Sequence, residues 1–212
     1  MYKQTEDGFV QTAKLQASDG MTEDYYGAGV TIHENRAVVG APYASNEGFV
    51  RDGAAYVYET VDGWTWTETA KLTAAEPFNN RHFAFQLTLS DKYLLVGATD
   101  RDLLLESFTA FGKGAAFVYD STSWAPIATL EDADGEMGDE FGFGLAVRDD
   151  IAVVGAPRTG LVGAAFVYDT STWSQVAKLV SSDPKPNTHF GRYAGVGGAK
   201  EAERAHRHRV AP

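Results

Sequence analysis

Apolar and polar residues follow four short patterns that return in the same order along the chain. In the first, apolar positions alternate strictly, as at Phe143, Leu145 and Val147 with Gly144 and Ala146 between them, which predicts a strand with two different faces. The second is continuously apolar, at 37–39, 93–96 and 151–154, as a strand covered on both sides would be. The third reads GAAYVY from Gly53 and GAAFVY from Gly114 and Gly163. The fourth starts at Trp64, Trp124 or Trp173 and mixes polar with apolar residues, as expected of an outer edge strand. No segment shows helical spacing.

The order of these patterns defines a repeat. It is clearest at 139–157, DEFGFGLAVRDDIAVVGAP, with copies at 24–42 (DYYGAGVTIHENRAVVGAP) and 82–99 (HFAFQLTLSDKYLLVGAT) and the start of another at Phe190 and Gly191. Tyr26, Phe83, Phe141 and Phe190 are 57, 58 and 49 residues apart, and Leu15, Leu72, Leu130 and Leu179 repeat those intervals. Such a period means one supersecondary unit used several times, each copy unable to bury its apolar face alone. The links from first to second strand (HENR, SDK, RDD) have hairpin length, and the Asp, Ser and Thr of YDSTSW and YDTSTW suit tight turns. The link from second to third strand varies from RTGLV to the long TDRDLLLESFTAFGK, which marks one face as the place for recognition.

Four-stranded units of this size predict β-propeller blades. The aromatic-Gly pair followed by Gly-Ala-Pro resembles the FG-GAP repeat of integrin alpha-subunit propellers and many secreted proteins. FG stands at Phe141–Gly142 and Phe190–Gly191 with Tyr26–Gly27 as a near match, and GAP stands at 40–42 and 155–157. The resemblance spans roughly residues 9–191. It implies a scaffold for protein or glycan recognition, with adhesion, an extracellular or cell-surface setting and calcium as family associations. The integrin calcium loop, of DxDxDG type between strands one and two, has no counterpart in these short hairpins. Physically, a glycine after the aromatic permits a sharp turn or close approach of a neighbouring blade, and proline after Gly-Ala ends a ladder. The second copy has Ala84 and Thr99 at those places, so its edges are expected to be less regular.

The expected architecture is all-β: about three complete blades of four antiparallel strands plus flanking strands, an incomplete ring. The expected units are an N-terminal outer strand in 1–16, blades at 17–73, 74–131 and 132–180, the start of a fourth at 181–192, and a non-repeat basic tail at 193–212. The N-terminal strand is placed in 9–15, FVQTAKL, by its likeness to the last strand of each blade. The tail reads as a gene-model artefact, a disordered natural tail or a basic functional segment; its His206 and His208 form only an HxH pair. An open third blade would expose apolar surface and unpaired strand edge, predicting self-association.

Composition narrows the function. Eighteen Lys+Arg against 29 Asp+Glu give a net charge of −11, which disfavours nucleic acid. The absence of cysteine removes disulfides and thiolate metal sites. No apolar run approaches a membrane span, and YKQTEDG after Met1 lacks a signal-peptide core.

The candidate chemistry lies in the loops between blades. LQASDGMTEDYYG from Leu15 aligns without gaps on LEDADGEMGDEFG from Leu130. Its carboxylates, Asp19 and Asp24 in one loop and Asp132, Asp134 and Asp139 in the other, suit a hard cation such as calcium, but suit better still Asp-Gly turns with a capping carboxylate. The variable loops offer two partner-binding sets: Tyr43, Asn46, Phe49 and Arg51, and Leu103, Leu104, Leu105, Phe108 and Phe111, the latter also readable as a loop folded over its own blade. No catalytic constellation stands out, since there is no G-x-S-x-G serine or cysteine nucleophile. The expected role is non-catalytic recognition without a certain cofactor. The other readings are a propeller segment that accompanies a secreted hydrolase-type enzyme, and a non-functional fragment.

Overall fold

The computed structural model describes residues 1–6, 8–100, 112–186 and 188–197. Two strands, β1 (Tyr2–Thr5) and β2 (Gly8–Gln11), form an antiparallel hairpin. Three four-stranded antiparallel sheets follow. The first contains β3 (Val30–His33), β4 (Arg36–Ala41), β5 (Ala54–Glu59) and β6 (Thr67–Leu72). The second contains β7 (Phe83–Leu89), β8 (Tyr93–Ala98), β9 (Ala115–Asp120) and β10 (Pro126–Leu130). The third contains β11 (Gly144–Arg148), β12 (Ile151–Ala156), β13 (Ala164–Asp169) and β14 (Ser174–Leu179). Strand order within each sheet is sequential, and the described residues contain no helix. This is an incomplete β-propeller.

Burial follows the four patterns. Strands β4 and β8 are buried along nearly their whole length, whereas β6, β10 and β14 are largely exposed or half-buried. Two details differ from the sequence expectation. The tryptophans precede the fourth strands and do not start them: Trp124 and Trp173 sit in the turns with φ of 60° and 53°. The expected outer strand at 9–15 is extended only over Gly8–Gln11 and among the described residues pairs with β1 alone, as residues 2–5 fold back along it. In the second sheet, β7 carries a register shift between Phe83 and Gln86 that β3 and β11 lack, and Ala84 takes a left-handed φ of 68° where glycines sit in the other copies.

The sheets stack through the repeat motif. Gly53, Gly114 and Gly163, each opening a third strand, form parallel bridges to the aromatic of the next repeat, Phe83, Phe141 and Phe190. A Cβ on Gly40, Gly97 or Gly155 would lie 2.0, 2.1 or 1.7 Å from the carbonyl oxygen of Ala84, Gly142 or Gly191, so backbone meets backbone between neighbours. The apolar layer between the first two sheets contains Val38, Val57, Leu72, Phe83 and Phe117; the next contains Leu95, Val118, Leu130, Phe141 and Phe166. Polar contacts join the sheets as well: Arg36 Nη1 donates to Ser121 O at 2.6 Å, and Tyr93 Oη donates to Thr170 O at 3.2 Å.

The two ends differ. The outer face of the first sheet, with Val39, Tyr56 and Tyr58, is covered by Met1, Leu15, Ala17 and Trp66. Among the described residues, no further sheet covers the third sheet's far face beyond Phe190 and Gly191. The equivalent leucines show it: Leu72 is 8% exposed and Leu130 4%, against 45% for Leu179.

Candidate functional site

The loop from Ala17 to Tyr26 crosses the outer face of the first sheet and is fixed there by the sheet's own side chains. Tyr56 Oη donates to Asp19 Oδ1 at 2.7 Å, Lys71 Nζ donates to Asp19 Oδ2 at 2.7 Å, and Tyr58 Oη donates to Gln16 O at 2.8 Å. The Lys71 ammonium, then the Tyr56 hydroxyl, hold the Asp19 carboxyl below the usual carboxylate range. Burial and the nearby Asp19 push Tyr56 in the opposite direction. Asp24 Oδ2 accepts the Met21 amide at 2.7 Å, and the Asp24 carbonyl accepts the Tyr43 amide at 3.2 Å, which ties this loop to the one after Pro42.

Between these loops lies a cleft of about 480 Å³ lined by Asp19, Asp24, Tyr25, Tyr43, Arg51 and Lys71, among others. The Tyr25 and Tyr43 rings are 4.8 Å apart, and the Arg51 guanidinium stands 5.3 Å over Tyr43. The fold thus brings together residues from both candidate sets, the carboxylates Asp19 and Asp24 and the variable-loop residues Tyr43 and Arg51. Asn46 and Phe49 exchange backbone hydrogen bonds of 2.8 and 3.1 Å across their loop, and Asn46 lines a neighbouring recess. Leu103, Leu104, Leu105, Phe108 and Phe111 lie outside the described residues, as does most of the basic tail.

The second loop repeats the turn geometry with other partners. Asp139 Oδ2 accepts the Glu136 amide at 2.9 Å, as Asp24 does with Met21. Asp132 Oδ1 accepts the Asp134 amide at 3.2 Å while its Oδ2 takes Lys178 Nζ at 3.1 Å; Asp134 itself is exposed. Carboxylates in these loops are therefore met by backbone amides and by lysines. An ammonium already stands at Asp19 and at Asp132, so this donor arrangement does not fit calcium, which needs six to eight oxygen ligands converging on one point.

Two arrangements had no signal in the sequence. His33 Nε2 lies 2.6 Å from Asp91 Oδ1 across the first and second sheets, with Glu34 beside them, because hairpins one repeat apart meet when sheets stack. Between the same sheets Arg81 is buried with its guanidinium 4.6 Å from the Phe78 ring and 4.8 Å from the Phe117 ring, near Asp52 and Asp100. Burial pushes the Asp100 carboxyl up to about 6, against the opposing effects of Arg81 and the Gly114 amide. Because the folded value is raised, Asp100 contributes stability below about pH 4 that is lost as pH rises to about 6. Replacing Asp100 by Asn is expected to flatten this part of the stability profile and to stabilise the chain at pH 7 by about 1–3 kcal/mol, measured by urea unfolding at pH 4, 5, 6 and 7.

Sequence comparison addresses the repeat directly. A profile of the FG-GAP repeat matches residues 9–58, 66–119 and 124–168, well over half of the chain. The chain belongs to the FG-GAP repeat family. A search of curated proteins finds no match. Among solved structures, the chain is similar to a europium-containing methanol dehydrogenase, with 13% identity and a TM-score of 0.53 over 80% of this chain. It spans 27% of that protein's length, and at this identity the likeness concerns the fold alone. The second and third FG-GAP matches each run from the fourth strand of one sheet through the third strand of the next, and the motif residues are those that make the contacts between sheets.

Proposed function

We propose that this FG-GAP chain is a rigid, non-catalytic recognition scaffold that binds a protein or glycan ligand in the cleft on its first blade. The supporting observation is the convergence of Asp24 and Tyr25 from one loop, Tyr43 and Arg51 from another, and Lys71 from β6 onto one concave surface. Half-exposed Tyr25 offers an aromatic face, and the charged groups around it supply directional donors and acceptors, the combination by which aromatic and arginine anchors carry binding. Hydrogen bonds from Tyr56, Lys71 and backbone amides hold the cleft in shape, so little ordering is needed on binding. Calcium has no part in this reading, since lysines occupy the cation positions at Asp19 and Asp132. Extracellular adhesion belongs to the same proposal through the family.

Glycan and peptide arrays probed with the chain supply the ligand for the test. Tyr25→Ala is expected to weaken that ligand about ten-fold, roughly 1.4 kcal/mol, without moving the thermal midpoint. Unchanged affinity in Tyr25→Ala and in Arg51→Ala would place recognition elsewhere. The open face of the third blade, with Leu179 exposed, supports concentration-dependent self-association as a second property.

A further inference from the structure

Asp52, immediately before Gly53, is 0% exposed, and neither of its carboxylate oxygens makes a hydrogen bond. Asn46 is also buried; its Nδ2 donates to Gly53 O at 2.9 Å while its Oδ1 has no partner. Both residues line a recess of about 510 Å³ beside the cleft, with Glu47, Lys71, Ala75 and Pro77 among the other walls. Arg81, whose charge acts on Asp52, lies over the Phe78 and Phe117 rings, and among the described residues no ion pair joins it to Asp52. The Phe78 amide and Asn46 lie near enough to offset part of the rise that burial imposes on the Asp52 carboxyl, without reaching hydrogen-bond geometry.

A buried carboxylate without donors is costly, and one kept in a folded protein calls for a group that completes it, such as a water, an ion or a side chain from a partner. This wall is rich in acceptors and poor in donors. Asp19, Glu47 and Asp52 contribute three carboxylates, and the single lysine, Lys71, is already held by Asp19. What the recess lacks is a cation carrying several N–H groups. A bare metal ion fits poorly, because the unpartnered oxygens number only three, two on Asp52 and one on Asn46, and the recess is far roomier than a single ion requires.

We propose that this recess receives the cationic end of an arginine or lysine side chain from a partner polypeptide, anchored by Asp52 and Asn46. The inference rests on the recognition reading and decides it in favour of a protein partner. A guanidinium offers five donors in a fixed fork and an ammonium three, either of which would satisfy the Asp52 oxygens together. The overall charge of −11 favours approach of such a partner.

The test is titration of the full chain with N-acetyl-argininamide and with N-acetyl-lysinamide, followed by calorimetry and NMR shifts of the Asn46 side-chain amide. Saturable binding by either probe is expected, weakened about ten-fold or more by Asp52→Asn. Without ligand, Asp52→Asn is expected to melt no lower than the parent, since it removes an unpaired buried charge. Should that variant misfold, Ala75→Phe at the exposed rim supplies the same readout by filling the recess. Tyr25→Ala, in the cleft, is expected to leave probe binding unchanged, so failure of the cleft and failure of the recess register separately. Absence of probe binding, binding indifferent to both Asp52→Asn and Ala75→Phe, or Asp52-dependent binding of calcium in preference to both probes would overturn the proposal.

Discussion

Replacing Phe141 by alanine is expected to cost about 3–5 kcal/mol, while the same change at Phe190 costs much less. Both are repeat aromatics and both bridge to the third strand of the preceding blade. Phe141 is fully buried and packs edge-on against Phe166 at 5.2 Å, just as Phe83 does against Phe117 at 5.3 Å. Each aromatic is thus enclosed by the third strand of its own blade as well as by its neighbour. Phe190 has no such strand after it among the described residues and remains half-buried. Urea unfolding of the two variants against the parent decides the matter. Equal losses would mean that the Phe190 end is packed as tightly as the interior of the stack.

A single methyl group at Gly97 is expected to cost about 3 kcal/mol or more, lowering the thermal midpoint by roughly 6–12 °C. Its Cβ would lie 2.1 Å from the Gly142 carbonyl oxygen and 3.1 Å from the carbonyl carbon, inside any tolerable contact. Both sides are backbone, so no rotamer change relieves the clash and the second and third blades must part. Gly97 does not need a left-handed φ, which makes the penalty steric and inter-blade. Gly195→Ala, where an added Cβ meets nothing within 4 Å, serves as the control and is expected to stay within about 0.5 kcal/mol of the parent. A Gly97→Ala chain that melts with the control would show that the blades do not approach as closely as the structure has them.

The repeat was legible because each strand type carries its own burial pattern and each motif glycine a backbone demand. The loop carboxylates were legible as a recurring group but not as a function. Asp24 and Asp139 cap equivalent backbone amides, as the turn reading required, and alignment alone gave no sign that Lys71 and Lys178 reach Asp19 and Asp132. Those lysines stand on fourth strands, 52 and 46 residues away from their acids, and only the crossing of the loop over the sheet brings them together. Tyr25 was hidden beside the more regular Tyr26; it shares a left-handed φ with His82, Glu140 and His189, the residues before each aromatic, yet stays half-exposed where His82 and Glu140 are buried, a difference set by what packs around each one. Asp52 had no signal at all, since an aspartate before glycine reads as an ordinary turn.

By itself the sequence determined the all-β class, the four-strand unit, the number of complete blades and the family, because these depend on local periodicity and on residues spaced by one repeat. Tertiary structure alone decided which residues meet: the cleft shared by Asp19, Asp24, Tyr43 and Arg51, the His33–Asp91 pair across two hairpins, and the buried carboxylate of Asp52. The cleft depends on the loop that crosses the first sheet, and the other two depend on how closely one sheet stacks on the next. That distance is set by glycines whose neighbours are a repeat away, and no local pattern encodes which side chains such stacking leaves facing one another.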